Sequence, residues 1–224
     1  MVHLLFGSEC VDHCVTIPLW VVDLDSFRRW VDSEDFPEKG RFDYVKGKVW
    51  IDMSKEQVFS HVLVKTRITA VLSELVEANQ SGLFLGDGVL LSNVDADFAV
   101  KPDALFASSD TLSDRVRLLE GKAEGYVELE GSPDMVLEVV SDSSVRKDTE
   151  QLRRDYWQAS IREYWLVDAR PDPLVFDILR HTPKGYRTTP KKDGWVKSNV
   201  FGKSFRLTRR MNALGHPQYT LDAR

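Results

Sequence analysis

The chain of 224 residues is poor in cysteine: Cys10 and Cys14 are the only two. Two thiols are too few for a structural zinc finger. With His3 and His13 beside them they read as free thiols in a terminal tail. No apolar run approaches the roughly 18 residues of a membrane helix, which excludes that class of membrane protein. The N-terminus has no basic start and soon meets Glu9, Asp12 and His13, unlike a secretory signal. The expected location is therefore cytoplasmic. No glycine fingerprint follows a strand, which excludes a dinucleotide fold of that kind. Internal repeats and low-complexity stretches are also missing. The chain lacks positive net charge as well; a formal value of −5 does not advertise nucleic-acid binding.

The composition that remains, 42% hydrophobic and 29% charged, is that of a globular domain. Residues 1–16 read as a tail, 17–210 as the domain and 211–224 as a second tail. Asp23 opens a short helix to Val31, and Arg41–Lys46 and Lys48–Met53 form a hairpin around Lys46-Gly47. Ser54, with Gln57 in capping-box spacing, predicts a helix to about Ala78. Its stripe is Val58, Val62, Thr66, Thr69, Leu72 and Val76. Strands follow at 83–85, 89–91, 98–100, 103–106, 126–129 and 135–140, with a polar excursion over 108–124. A helix over 148–159 precedes a strand at 163–168 and antiparallel strands from Leu174 onward. The pattern predicts an α/β (α+β) fold: a central mixed sheet flanked by helices, with a C-terminal antiparallel β extension.

Two acids stand out. In the strand after Asp134, alternation puts Met135, Leu137 and Val139 on one face and Val136, Glu138 and Val140 on the other. Glu138 is thus flanked by valines, a costly place for a lone charge. Asp103 follows Pro102 and opens a strand of its own. Taken singly, Glu138 could be a structural ion pair and Asp103 a turn residue. Together, two acids in apolar strands suit a shared divalent cation, which compensates both charges.

The segments Pro102-Asp103, Pro133–Ser141, Lys147-Asp148 and Tyr156 leading into Ile161–Asp168 resemble the Uma-type restriction endonucleases of the PD-(D/E)XK nuclease superfamily. Arg41–Lys48 resembles that family's early acidic hairpin, and His61 the histidine that starts its long helix. The likeness spans about residues 17–210. It implies a restriction-endonuclease-like core and Mg²⁺- or Mn²⁺-dependent hydrolysis of DNA. Residue by residue, it implies Asp103 and Glu138 as metal ligands, Asp43 as a third acid in place of a glutamate, and His61 near the pocket. As a residue on its own, His61 also reads as an ordinary helix-face histidine.

One part of that pattern is missing. The lysine expected two residues after the glutamate is Val140, and the alternative position four after Asp148 is Leu152. Lys147, Arg153 and Lys101 remain, and Lys147, at the start of the following helix, is the candidate. Its competing reading is a surface residue before a helix cap. From Pro183 to Arg210 the basic residues Lys184, Arg187, Lys191, Lys192, Lys197, Lys203, Arg206, Arg209 and Arg210 face one acid, Asp193. Lys184, Arg187, Lys191 and Lys192 are the expected phosphate contacts, or else the solvated face of a hairpin. Two other functions stay open. One is a degenerate nuclease-fold protein that binds nucleic acid without cutting it. The other is a homo-oligomeric interaction protein, with Trp50, Trp157, Trp165 and Trp195 as material for a homodimer interface.

Overall fold

A computed structural model describes residues 2–5, 14–121 and 124–224. Cys10 and His13 of the terminal Cys/His set lie outside the described residues. Two six-stranded sheets make the body. The first runs in the order Lys48–Asp52, Arg41–Val45, Phe98–Val100, Leu90–Asn93, Tyr126–Gly131, Val116–Glu120. The second runs Arg187–Thr188, Val175–Arg180, Glu163–Asp168, Met135–Val139, Ala104–Ser108, Gly82–Gly86. In the second sheet Met135–Val139 pairs in parallel with Glu163–Asp168 and antiparallel with Ala104–Ser108, so the sheet is mixed as the sequence pattern predicts.

The alternation read from Met135–Val139 is the alternation seen. Met135, Leu137 and Val139 pack with Ile68, Leu72 and Val76 of the long helix Leu63–Asn79 and with Phe205 and Leu221 of the C-terminal sheet. Val136, on the other face, packs with Leu152 and Tyr156 of helix Leu152–Gln158 and with Phe98 and Leu129 of the first sheet. The helix Leu24–Val31 is capped by Asp23, whose carboxylate accepts from Ser26 N at 2.8 Å. It lays Phe27 and Trp30 over Phe42, Tyr44 and Ala99. Each of those two aromatics is fully buried, which stabilises the first sheet by roughly 1.5–3 kcal/mol per side chain.

Four expectations are corrected. The Ser54–Gln57 capping box does not form, because loop 141–144 takes both side chains: Ser54 Oγ meets Ser143 Oγ at 3.0 Å and Gln57 Nε2 donates to Asp142 at 2.7 Å. The helix enters instead through a π-type turn, Val58–Val62, in which Val62 N donates to Gln57 O at 3.0 Å. The buried stripe of the helix that follows differs in phase from the one expected. Val64 and Ile68 face the core, while Val58 and Thr66 are exposed. The excursion at 108–124 holds a short helix, Ser109–Asp114, and an edge strand, Val116–Glu120. The segment 211–224 is not a tail. Pro217–Ala223 pairs along Ser204–Met211, and Tyr219 and Leu221 are buried beneath it, so apolar burial holds the end of the chain.

Candidate active site

The acids converge because backbone hydrogen bonds clamp their strands. Asp103 N donates to Leu137 O at 3.1 Å, and Val139 N donates to Asp103 Oδ2 at 2.7 Å. These bonds bracket Glu138 and hold the two carboxyl groups side by side. Asp43 joins from the neighbouring sheet, its Oδ1 accepting from Lys101 N at 3.0 Å. All three acids are buried. Glu138 Oε1 accepts from the buried Tyr156 hydroxyl at 2.6 Å.

Cations fill the space around them. Lys147 Nζ lies 2.8 Å from Asp43 Oδ2 and 3.9 Å from Asp148 Oδ1. It is buried, so the surface-residue reading does not hold. Lys65, one turn beyond His61 on the long helix, is 3.6 Å from Asp103 Oδ1 and also meets Asp87 at 2.8 Å and Glu56 at 3.1 Å. His61 Nε2 is 3.7 Å from Asp103 Oδ2, too long for a hydrogen bond. Arg41 sits in the middle: Nε is 3.6 Å from Asp43 Oδ2, Nη1 3.6 Å from Asp103 Oδ1, and Nη2 3.4 Å from Glu138 Oε2. Both helices that reach the site enter it on π-type turns, Val58–Val62 carrying His61 and Lys147–Gln151 carrying Lys147 and Asp148. Such turns are rare and occur often at functional sites.

The electrostatics follow from burial and crowding. Burial, opposed by Arg41 and reinforced by Asp148 and Asp103, pushes the Glu138 carboxyl up to about 8. Burial likewise raises Asp148 to about 6, against the pull of Lys147 and Ser144. Burial would raise Asp43 too, but Lys147 and Arg41 together hold it below its ordinary value. Burial works against the Lys147 ammonium, yet Asp43 keeps it above the usual lysine range.

Among the described residues no group of three His, Cys, Asp or Glu side chains is arranged to hold a metal ion. The Arg41 guanidinium stands 3.4–3.6 Å from the carboxylates of Asp43, Asp103 and Glu138. The donor chemistry nevertheless fits a hard divalent cation. Asp103 Oδ1 and Asp148 Oδ1 are buried carboxylate oxygens without a hydrogen-bond partner. A cavity of about 290 Å³ reaches the group from solvent, lined by Arg41, Asp52, Glu56, His61, Asp87, Lys147 and Asp148 among others.

None of the predicted phosphate contacts touches the acid cluster. Arg187 pairs with Arg180, which is opposite Glu163, which is opposite Met135. This places Arg187 level with the far end of the strand from Glu138. Lys191 is tied at 2.7 Å to Asp177, which stands opposite Leu166 and so level with Glu138, two strands away. Lys184, Arg187 and Lys192 are exposed, with no acidic partner among the described residues.

Arg41, Lys65, Asp148 and Tyr156 are the site residues that sequence reasoning did not assign. Lys65 left a signal, for it shares a three- and four-residue rhythm with His61, Ile68, Leu72 and Val76, an odd place for a lysine on a core-facing stripe. Arg153, the other helical candidate for the missing cation, donates instead to Tyr186 O at 3.3 Å. Leu152 and Val140, at the vacated lysine positions, are buried.

A crystal structure of a putative nuclease belonging to DUF820 from Anabaena variabilis ATCC 29413 superimposes with a TM-score of 0.60 at 16% identity, covering 81% of this chain and 91% of that one. At that identity the likeness is one of fold. No match was found among curated proteins. Residues 24–209 match the family described as "Uma2: Putative restriction endonuclease". With a match over most of its length, the chain belongs to the Uma2 family.

Proposed function

We propose that the protein is a divalent-metal-dependent endonuclease that hydrolyses phosphodiester bonds in DNA. The observation that carries this reading is the convergence of Asp43 and Glu138, from two strands, and Asp103, from the bend before a third, within 3.6 Å of one cationic group. Buried acids this close need a cation, and the chain's own are imperfectly matched to them. Asp103 and Glu138 would hold Mg²⁺ or Mn²⁺, with Asp43 as the third acid. When bound, the ion would lower the pKa of a water and polarise a phosphoryl oxygen. Lys147 supplies the positive charge that Val140 cannot, reaching the acids from the helix instead of the strand. Its tie to Asp43 fixes the ammonium at the cavity, where it can offset charge on an entering phosphate. His61 narrows the approach beside Asp103. Lys184, Arg187, Lys191 and Lys192, none of which touches the acid cluster, would take other phosphates of the bound strand.

The test is cleavage of plasmid and linear DNA with Mg²⁺ or Mn²⁺ by the wild-type chain and by Asp103→Asn. The amide can still accept from Val139 N, so the fold survives while cleavage disappears. A wild-type protein that leaves all DNA intact with abundant Mn²⁺ overturns the proposal. Arg41 among the acids, with Val140 and Leu152 at the lysine positions, favours one second reading: a nuclease fold that binds DNA without cutting it. DNA retention without cleavage, and no Mn²⁺-dependent rise in Tm, would select that reading.

A further inference from the structure

We propose that Arg41 is a resident counter-ion of the acid cluster, displaced toward Asp52 when a divalent cation enters. The inference rests on the metal-nuclease reading above and concerns what that site does with its own arginine. Arg41 touches three buried acids, but at 3.4–3.6 Å, longer than charge-assisted hydrogen bonds normally are. Its Nε is buried without a hydrogen-bond partner, and Asp103 Oδ1 opposite is equally unpartnered. Among the described residues it makes no paired, two-bond grip of the kind arginine forms with a carboxylate. Attraction to the summed acid charge, with one bond to the Lys101 carbonyl, holds the guanidinium in place.

The charge count explains why it resides there. Leaving Glu138 aside, Asp43, Asp103, Asp148, Glu56 and Asp87 bring five formal negative charges, and Lys147 and Lys65 bring two positive ones. Arg41 lowers the imbalance from three to two. A divalent ion among the same carboxylates would stand at contact distance from the guanidinium, and two cations that close in a poorly solvated site repel strongly. One of them must leave.

Arg41 has a route and a destination. Its side chain is 24% exposed whereas those of Asp103 and Glu138 are 1%, so it enters the cluster from the solvent side. The cavity of about 290 Å³ adjoins it. Strand register sets Arg41 directly opposite Asp52, whose carboxylate lines the same cavity. Rotation about the arginine's own side-chain bonds carries it from one acid group to the other with no change in the strand. Opposite charges facing one another across paired strands attract, so the outward position is itself favourable.

Calorimetric titration with Mn²⁺ tests this on the full chain. Arg41→Met should bind Mn²⁺ at least tenfold more tightly than wild type. Asp52→Asn should weaken binding in the wild-type background and leave it unchanged in the Arg41→Met background, because the destination matters only when there is an arginine to receive. Equal or weaker binding by Arg41→Met, or an Asp52 effect that persists without Arg41, overturns the inference while leaving the metal site standing. Absence of binding to both wild type and Arg41→Met overturns the metal reading and this inference with it. If Arg41→Met fails to fold, hydrogen exchange of the Arg41 Nε–H in the unaltered chain decides by NMR. Saturating Mg²⁺ should accelerate it at least tenfold, and an unchanged rate refutes the displacement.

Discussion

Lys147 Nζ and Asp43 Oδ2 lie 2.8 Å apart, with both side chains less than a tenth exposed. The pair joins the helical arm of the site to the neighbouring sheet. Removing one partner leaves a buried charge without compensation, which costs about 3–5 kcal/mol, whereas removing both can be nearly neutral. Lys147→Met should therefore lower stability by that order in urea denaturation. Lys147→Met combined with Asp43→Leu should recover most of the loss. Both variants should be inactive, because the double change repairs the fold and not the charge that faces the phosphate.

Tyr156 donates a short hydrogen bond to Glu138, at 2.6 Å between two fully buried groups. Tyr156→Phe keeps the ring against Phe98 and Tyr164 and removes only the hydroxyl. A loss of about 1–3 kcal/mol is expected from leaving a buried acceptor unsatisfied. Thermal denaturation of the variant measures it, and an unchanged Tm would show that water or a metal ion replaces the hydroxyl.

The Glu138 carboxyl, pushed up to about 8 from an ordinary 4.5 by burial, sets a pH dependence. In the folded state it keeps its proton over a range in which the unfolded chain has lost it. Its contribution is therefore most favourable below about pH 4.5 and declines as pH rises toward 8. The decline is on the order of a few kcal/mol. Wild-type stability in chelator, followed by urea denaturation, should fall from pH 5 to pH 8. Glu138→Gln, which has no proton to lose, should flatten the slope across that window.

Lys184, Arg187 and Lys192 have no acidic partners among the described residues, so any contribution they make to DNA binding is counter-ion displacement. Exchanging all three for Gln should reduce the slope of log affinity against log salt by about 0.9 for each phosphate that is no longer neutralised. Arg187 lies level with the far end of the Glu138 strand, and none of the three touches the acid cluster, so the rate of cutting by the bound complex is expected to stay unchanged. Binding measured over a salt series, beside single-turnover cleavage at saturating protein, separates the two effects.

The residues near each turn carried much of this fold openly. Asp23 marks the start of its helix, Lys46-Gly47 marks its hairpin, and alternation through Met135–Val139 assigns Glu138 its face. These are local relations, written within a few residues of the element they specify. The entrance of the long helix was misread because its first polar residues bond to loop 141–144, which is remote in the chain. The last strand escaped notice for a similar reason, since Pro217–Ala223 gains its stability from pairing and burial beneath the long helix.

By itself the sequence determined which acids exist, which strands carry them, and that the usual lysine positions are apolar. Tertiary structure alone decided what surrounds those acids. Clamping of Asp103 against the Glu138 strand, the arrival of Lys147 and Lys65 from two helices, and the lodging of Arg41 among three carboxylates are all long-range relations. Charge in a buried site acts through space and not along the chain. Its balance could be counted only once the fold had brought the side chains together.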